Sequence, residues 1–171
     1  MAAHDSSSDM HDDDAGLARA RAALEASGID FTITRHGRVR SLGEAAAARG
    51  VAPSDIVKTI VVRRGEGNHL FVLVPGGREI SWKNLRVLLG VKRMTMPDAA
   101  GALDVTGYER GTITPFGSRT ALPVLADTTL HGTVSIGAGT HGAGATVDAA
   151  ALVGALDATV ADVTDPATPR G

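Results

Sequence analysis

The sequence predicts an α+β domain built on a mixed, largely antiparallel sheet. Three observations lead there. Strand-like and helix-like runs follow one another without the regular βαβ rhythm of a parallel sheet. The two most strand-like runs, residues 57–64 and 69–74, are separated by Gly65-Glu66-Gly67-Asn68, a hairpin-like connection. A length of 171 residues with 43% hydrophobic side chains suits one domain with a sizeable core.

Residues 1–14 are rich in Ser, Asp and His without periodicity and read as a disordered acidic tail. The Ala-, Leu- and Arg-rich run 15–27 is a helix that Gly28 stops. Residues 31–34 alternate like a short strand. Ser41-Leu42-Gly43-Glu44 is a capping-box pattern opening a helix that ends at Gly50. Beyond the hairpin, Ser81 caps a helix that runs to Leu89 and stops at Gly90. Residues 92–95 read as a short strand, and Pro97 sits in the first turn of a helix over 98–103. A long loop over 106–120 follows. Strands over 122–126 and 133–136, a glycine-rich turn at 137–142 and a weak strand over 143–147 come next. Asp148 caps a helix over 149–156, and 158–163 form a last strand. Residues 164–171, with Pro166 and Pro169, read as a frayed tail, so the domain spans 15–163.

Composition narrows the function classes. Aromatic residues make up only 3%, so the core must be built from Ala, Val, Leu and Ile. The absence of cysteine rules out disulfides, zinc-thiolate sites and cysteine nucleophiles, and fits a cytoplasmic protein. No apolar run approaches the roughly 20 residues that span a bilayer, so no membrane partner is expected. The net charge of −2 conceals an asymmetry: residues 1–14 hold five Asp and no Lys or Arg. Residues 30–120 carry 14 basic against 8 acidic side chains, a balance of +6 that permits a nucleic-acid partner without demanding one.

Two segments far apart in the chain draw the chemistry. Lys58 lies in the run Ile56-Val57-Lys58-Thr59-Ile60-Val61-Val62, which is expected to be buried on both faces. A lysine is costly there unless its ammonium reaches a cleft, a partner or, by snorkelling, water. The loop Thr106-Gly107-Tyr108 to Gly111-Thr112-Ile113-Thr114-Pro115-Phe116-Gly117 is rich in glycine and threonine. It can either present N–H groups to an oxyanion or serve as an ordinary surface loop. A cation facing an amide-rich loop suits an anionic or carbonyl-bearing ligand. The turn Gly137-Ala138-Gly139-Thr140-His141-Gly142 offers the same two readings and matches no phosphate-loop or dinucleotide pattern. His36 stands beside Arg35, Arg38 and Arg40, either a basic rim or a solvated turn. The histidines lack ligand spacing, so no metal or other cofactor is expected. No Gly-x-Ser-x-Gly elbow and no carboxylate pair is present.

Taken in order, Lys58-Thr59-Ile60-Val61-Val62, Thr106-Gly107-Tyr108, Gly111-x-Ile113-Thr114-Pro115-Phe116-Gly117, Leu122-Pro123-Val124 and the turn at 137–142 resemble the YbaK/EbsC family of aminoacyl-tRNA deacylases. That family is related to the editing domain inserted in bacterial prolyl-tRNA synthetases. The resemblance covers about residues 15–163 and implies a YbaK-like single domain, a curved sheet flanked by helices. It implies a trans-editing hydrolase that cleaves the ester of mischarged aminoacyl-tRNA, in particular tRNA(Pro) carrying a small residue such as Cys or Ala. Prolyl-tRNA synthetase is the implied partner. By position, Lys58 would bind the terminal-adenosine phosphate or orient the ester. Gly111 and Thr112 would approach the carbonyl and, with Thr114, Pro115, Phe116 and His36, surround the substrate, while Gly137, Ala138 and Gly139 would line the opposite wall. The family is thought to use the 2′-hydroxyl of the terminal ribose, rather than a protein nucleophile, to activate water.

Two departures stand out. Relatives often have Gly-Gly where this chain has Gly111-Thr112, which would add a methyl and a hydroxyl to the pocket wall. Relatives often carry an acid where Gly144, Ala145 and Thr146 offer none, leaving Asp148 as a substitute. The alternative functional expectation is therefore a binding module with the same pocket and no turnover, followed by an interaction domain with a vestigial pocket.

Overall fold

The computed structural model describes the backbone of residues 5–168 and the side chains from Ala15 onward. Elements follow in the order α1 Asp5–Ser27, β1 Thr32–Arg35, α2 Leu42–Arg49, a single 3-10 turn Pro53–Asp55, β2 Val57–Arg63, β3 His69–Pro75 and β4 Arg78–Ile80. Then come α3 Trp82–Leu89, α4 Ala99–Thr106, β5 Val124–Asp127, β6 Thr133–Gly137, β7 Ala143–Asp148, α5 Ala149–Leu156, β8 Thr159–Ala161 and β9 Thr164–Pro166. The fold is α+β with a mixed sheet system. One sheet has strand order β1-β7-β6, all antiparallel. The second, β2-β3-β5-β8, starts with the antiparallel β2–β3 hairpin and continues in parallel. A two-stranded ribbon joins β4 to β9.

Local chemistry sets the ends of the helices. The Ser41 hydroxyl accepts from the Glu44 N–H, while the Glu44 carboxylate reaches one residue further than a standard capping box and accepts from the Arg40 N–H. Ser81 and Asp148 cap α3 and α5 in the same way, accepting from Asn84 N–H and Ala151 N–H. Gly50 and Gly90 adopt left-handed conformations at the helix ends. The cap of α4 is Asp98, so Pro97 lies just outside the helix instead of in its first turn.

Four other expectations give way. Helix α1 begins at Asp5, ten residues earlier than expected, and takes in residues 5–14 of the stretch read as a disordered tail; residues 1–4 lie outside the described part. Residues 164–166 are strand β9, held to β4, although they were expected to fray; 169–171 lie outside the described part. Residues 92–95 form no strand but a single bridge, Arg63 to Thr95. Strand β2 has a buried residue on each face, Val61 and Val62, but it is the edge of its sheet and Lys58 near its start is exposed.

The core is aliphatic, as the scarcity of aromatics requires. Its larger cluster joins the inner face of β2, β3 and β5 to β6, β7 and α5 through Val57, Val61, Phe71, Ile136, Val147 and Leu152. A second cluster on the far face of the β2–β3 hairpin packs Val62, Val72 and Val74 against Leu85 of α3. Sealed between the two sheets, the first cluster fixes β2 and the end of β6 close together, and their junction carries the cleft described next.

Candidate functional site

Strand β2 leaves its outer edge uncovered between two clamps. At one end Ile56 bridges to Ser135 of β6, and at the other Arg63 bridges to Thr95. Between them, residues 56–60 line a cleft of about 320 Å³. Gly111 and Ile113 of the long loop, Gly137 at the end of β6, Arg49 at the end of α2 and Arg110 complete it. Tertiary structure thus brings Lys58, Gly111 and Gly137 together from three distant stretches of chain. The cleft carries three cations and no carboxylate among its lining residues. It also holds no Ser, Cys or His that could act as nucleophile or base.

Lys58 is exposed, and its Nζ donates to the carbonyl oxygen of Arg78 at 3.3 Å. Its charge sits at the rim of the cleft on a single carbonyl that a ligand can replace.

Arg49 is the residue that sequence reasoning missed. It is half-buried, and burial lowers its pKa from the usual arginine range, although a guanidinium stays charged. Its Nε donates to Nε2 of His36 at 3.3 Å, and its two terminal nitrogens donate to Ser135 Oγ and the Ala143 carbonyl, each at 3.4 Å. Because His36 Nε2 accepts, the proton belongs on Nδ1, which donates to the Gly37 carbonyl at 2.8 Å. His36 is therefore a positioning partner of Arg49 and does not itself line the cleft. Gly144 makes the arrangement possible: a Cβ there would come within 2.7–2.8 Å of Arg49 Cδ, Nε and Cζ. The position where an acid was sought instead gives room to a cation. Asp148, the candidate substitute, is committed to capping α5.

The two glycine-rich segments form one wall, not two opposed ones. Gly139 N–H donates to the Thr112 carbonyl at 3.0 Å, and a Cβ on Gly137 would lie 2.6 Å from the Ile113 carbonyl oxygen. Only glycine permits that approach. Opposite this wall stands β2.

Most other expected substrate contacts point away. Thr112 is buried, and its Oγ1 donates to the Glu109 carbonyl at 2.7 Å. With Gly139, it lines a separate cleft beside Arg19 and Tyr108. Its methyl and hydroxyl are therefore not part of the Lys58 pocket wall. Thr114 is fully buried, and its hydroxyl accepts from Phe116 N–H. Phe116 belongs to the main core, Ala138 to a small cluster with Leu17 and Ala143, and Pro115 is half-buried outside the cleft.

The long loop over 106–120 is clasped. The hydroxyl of Tyr108, 1% exposed, donates to the Phe116 carbonyl at 2.7 Å. Arg19 lies 4.5 Å above the Tyr108 ring and donates to the carbonyls of Gly107 and Gly117. Burial raises the Tyr108 pKa, while the Arg19 charge and hydrogen bonding oppose that rise. Thr106 Oγ1 donates to the Ala102 carbonyl and accepts from Tyr108 N–H. These bonds hold Gly111 and Ile113 still against the cleft.

A second groove adjoins, lined by His36, Arg38, Val39 and His141. His141 Cε1 is 3.6 Å from where a Gly111 Cβ would sit, and its Nε2 faces Glu109 Oε2 at 3.2 Å. Through the Arg49–His36 contact this groove meets the cleft. Among the described residues no group of three His, Asp or Glu could hold a metal ion, and no helix is long and apolar enough to cross a membrane.

The chain is similar to known proteins. A solved structure of a candidate trans-editing enzyme for prolyl-tRNA synthetase superposes with a TM-score of 0.79 at 26% identity, covering 88% of this chain and 97% of the other. A hypothetical protein of known structure gives 0.78 at 28% identity over 86% of this chain and 99% of its own. Curated relatives include the proline–tRNA ligases of Bacillus licheniformis, 26% identical over 103 residues, and Trichlorobacter lovleyi, 32% identical over 88 residues. Those matches cover 60% and 52% of this chain but only 18% and 15% of the ligases, so the chain corresponds to less than a fifth of their length. Residues 36–154, which contain Lys58, Arg49, Gly111 and Gly137, match the family model of the aminoacyl-tRNA editing domain, and the chain belongs to that family.

Proposed function

We propose that this protein is a trans-editing aminoacyl-tRNA deacylase that hydrolyses the ester of mischarged tRNA(Pro) carrying a small amino acid such as Cys or Ala. The observation that carries the reading is the cleft itself. It gathers Lys58, Arg49 and Arg110 around the glycine wall of Gly111 and Gly137 and admits no carboxylate. Such a site favours a phosphate-bearing terminal nucleotide and an ester carbonyl that gains negative charge in the transition state. The adjoining groove with Arg38 continues the positive path along which a single-stranded 3′ end can run.

Hydrolysis would proceed by attack of water on the ester carbonyl, followed by collapse of the tetrahedral oxyanion with release of the ribose hydroxyl. With no nucleophile or base lining the cleft, the protein's contribution is orientation and charge stabilisation, and the substrate's neighbouring 2′-hydroxyl assists the water. Lys58 exchanges the Arg78 carbonyl for substrate; Arg49, braced by His36, Ser135 and Ala143, supplies a fixed second charge. Likeness to a candidate trans-editing enzyme supports action in trans, and the proline–tRNA ligase relatives support tRNA(Pro) and a prolyl-tRNA synthetase as partner.

The test is release of labelled amino acid from a panel of mischarged tRNA(Pro), with wild type and Lys58→Ala compared. Release by wild type and loss in the variant are expected. A folded wild type that binds the panel in a salt-dependent way yet releases nothing would replace the reading with a non-catalytic binding module, which Arg49 over Gly144 in place of an acid favours.

A further inference from the structure

We propose that the uncovered edge of β2 at Thr59 is a one-residue strand slot that binds the backbone of the aminoacyl group, its α-ammonium and carbonyl together. This deepens the deacylase reading and rests on it for the identity of the ligand.

The register of β2 decides which of its groups face the cleft. The β2–β3 ladder runs unbroken from Val57↔Pro75 to Arg63↔His69, without a bulge. Backbone hydrogen bonds alternate in direction along an antiparallel strand. Arg64 N–H points inward, to the Asn68 carbonyl at 2.9 Å. Arg63 points outward: its N–H donates to the Thr95 carbonyl at 2.8 Å, and its carbonyl accepts from Thr95 N–H at 3.0 Å. Counting back by twos, Val61 and Thr59 also turn N–H and C=O outward. Among the described residues neither has a backbone partner on that side.

The reason the edge stays open is visible at both ends. Continuing the Arg63–Thr95 pairing would place Val61 opposite Pro97, which has no N–H to donate, so the pairing stops there. At the other end the bridge to Ser135 covers Ile56, after which β6 ends and the chain turns beneath Ile113 at Gly137. The gap holds two unpaired positions, Thr59 and Val61; Val61 opens on the pouch it shares with Pro97, which leaves Thr59 to pair with a single ligand residue. A hydrogen-bonded antiparallel pair exchanges both N–H and C=O with a single opposing residue. An aminoacyl ester presents both: an ammonium that donates to the Thr59 carbonyl and an ester carbonyl that accepts from the Thr59 N–H. Thr59 is partly exposed although its Oγ1 is sealed and unpartnered, so it is not the hydroxyl that it shows to the cleft. Arg110 and Gly111 stand across the slot. The Thr59 carbonyl then takes the ammonium in a cleft that lacks an acid at Gly144.

The side chain of the bound residue would project from the slot towards a pouch of about 120 Å³, walled by Ile60, Val61, Met96, Pro97, Ala102 and Ile113. The slot recognises the backbone common to all amino acids, while the pouch limits side-chain size.

The test uses the intact protein and two hydrolysis-resistant probes, 3′-(alanylamino)-3′-deoxyadenosine and its des-amino counterpart, the 3′-propionylamino compound. Removal of the ammonium should weaken binding by about tenfold, the scale of one charge-assisted hydrogen bond. Thr59→Pro deletes the outward N–H without touching the β2–β3 ladder, and should weaken the alanyl probe by about tenfold as well. If that variant fails to fold, the wild-type Thr59 amide is followed by NMR and should move downfield and exchange more slowly with the alanyl probe. Equal binding of the two probes, a folded Thr59→Pro that binds like wild type, or an unmoved Thr59 amide under saturating probe would overturn the slot. Deacylation is measured in parallel: probe binding through Thr59 without turnover leaves the slot standing and removes the deacylase, whereas turnover with an indifferent Thr59 does the reverse.

Discussion

The loop over residues 106–117 has two faces that behave differently. Gly111 and Ile113 look into the Lys58 cleft and make room there, while Tyr108, Thr112, Thr114 and Phe116 on the other face are buried and hydrogen-bonded. The cleft face carries charge and open backbone; the clasp face carries packing and saturated polar groups. The clasp therefore holds the wall in place, and the cleft is where the chemistry is proposed. Substitutions on the two faces should separate stability from activity.

The largest stability effect is expected from Phe116→Ala, which empties a core position and should cost about 3–5 kcal/mol in urea unfolding. Lys58→Ala should do the opposite: a midpoint within about 0.5 kcal/mol of wild type, because the side chain is exposed, and kcat/KM lowered by about 10²–10³. If Lys58→Ala were instead destabilised and still active, the division between the faces would be lost. Tyr108→Phe leaves the Phe116 carbonyl without its partner and should cost about 1–3 kcal/mol, with amino-acid selectivity unchanged in the folded fraction. Thr112→Gly sharpens the same contrast. Its side chain is on the clasp face, so the ranking of amino acids released from a mischarged panel should match wild type.

A smaller effect tests the electrostatics away from the cleft. Asp127 is 1% exposed. Burial alone would raise its pKa, but hydrogen bonds from the Thr129 hydroxyl and N–H, the Val163 N–H and the Thr164 hydroxyl outweigh it and hold the carboxyl below its ordinary value of 3.8. A depressed folded-state pKa gives stability that is fully present above 3.8 and lost as pH falls through the folded value. Acid unfolding of wild type should steepen below that pH, and Asp127→Asn should flatten the curve there. Activity of the folded variant at neutral pH should follow wild type, since Asp127 does not line the cleft.

Much of this was readable before any tertiary contact was known, and the reason is locality. Ser41, Ser81 and Asp148 cap helices by bonding three residues ahead, so a four-residue pattern contains both partners. The β2–β3 hairpin joins neighbours in the chain. The β4–β9 ribbon was not readable, because its strands of three residues each are too short to show a period and their partners lie far apart in sequence. The setting of Lys58 has no local signature: an apolar run looks the same in an edge strand as in a central one. Arg49 escaped notice because nothing in Ala47-Ala48-Arg49-Gly50 distinguishes it from the last residue of any helix.

By itself, then, the sequence determined the α+β class, the capped helices, the aliphatic core and the three segments from which the cleft is drawn, since each is written in local spacing or composition. Tertiary structure alone decided which side of the loop faces the cleft, that Arg49 lies over Gly144, and that the edge of β2 stays open at Thr59. Those outcomes depend on which strands pair and where pairing stops, and hydrogen-bond direction across space has no signature in the order of residues along one chain.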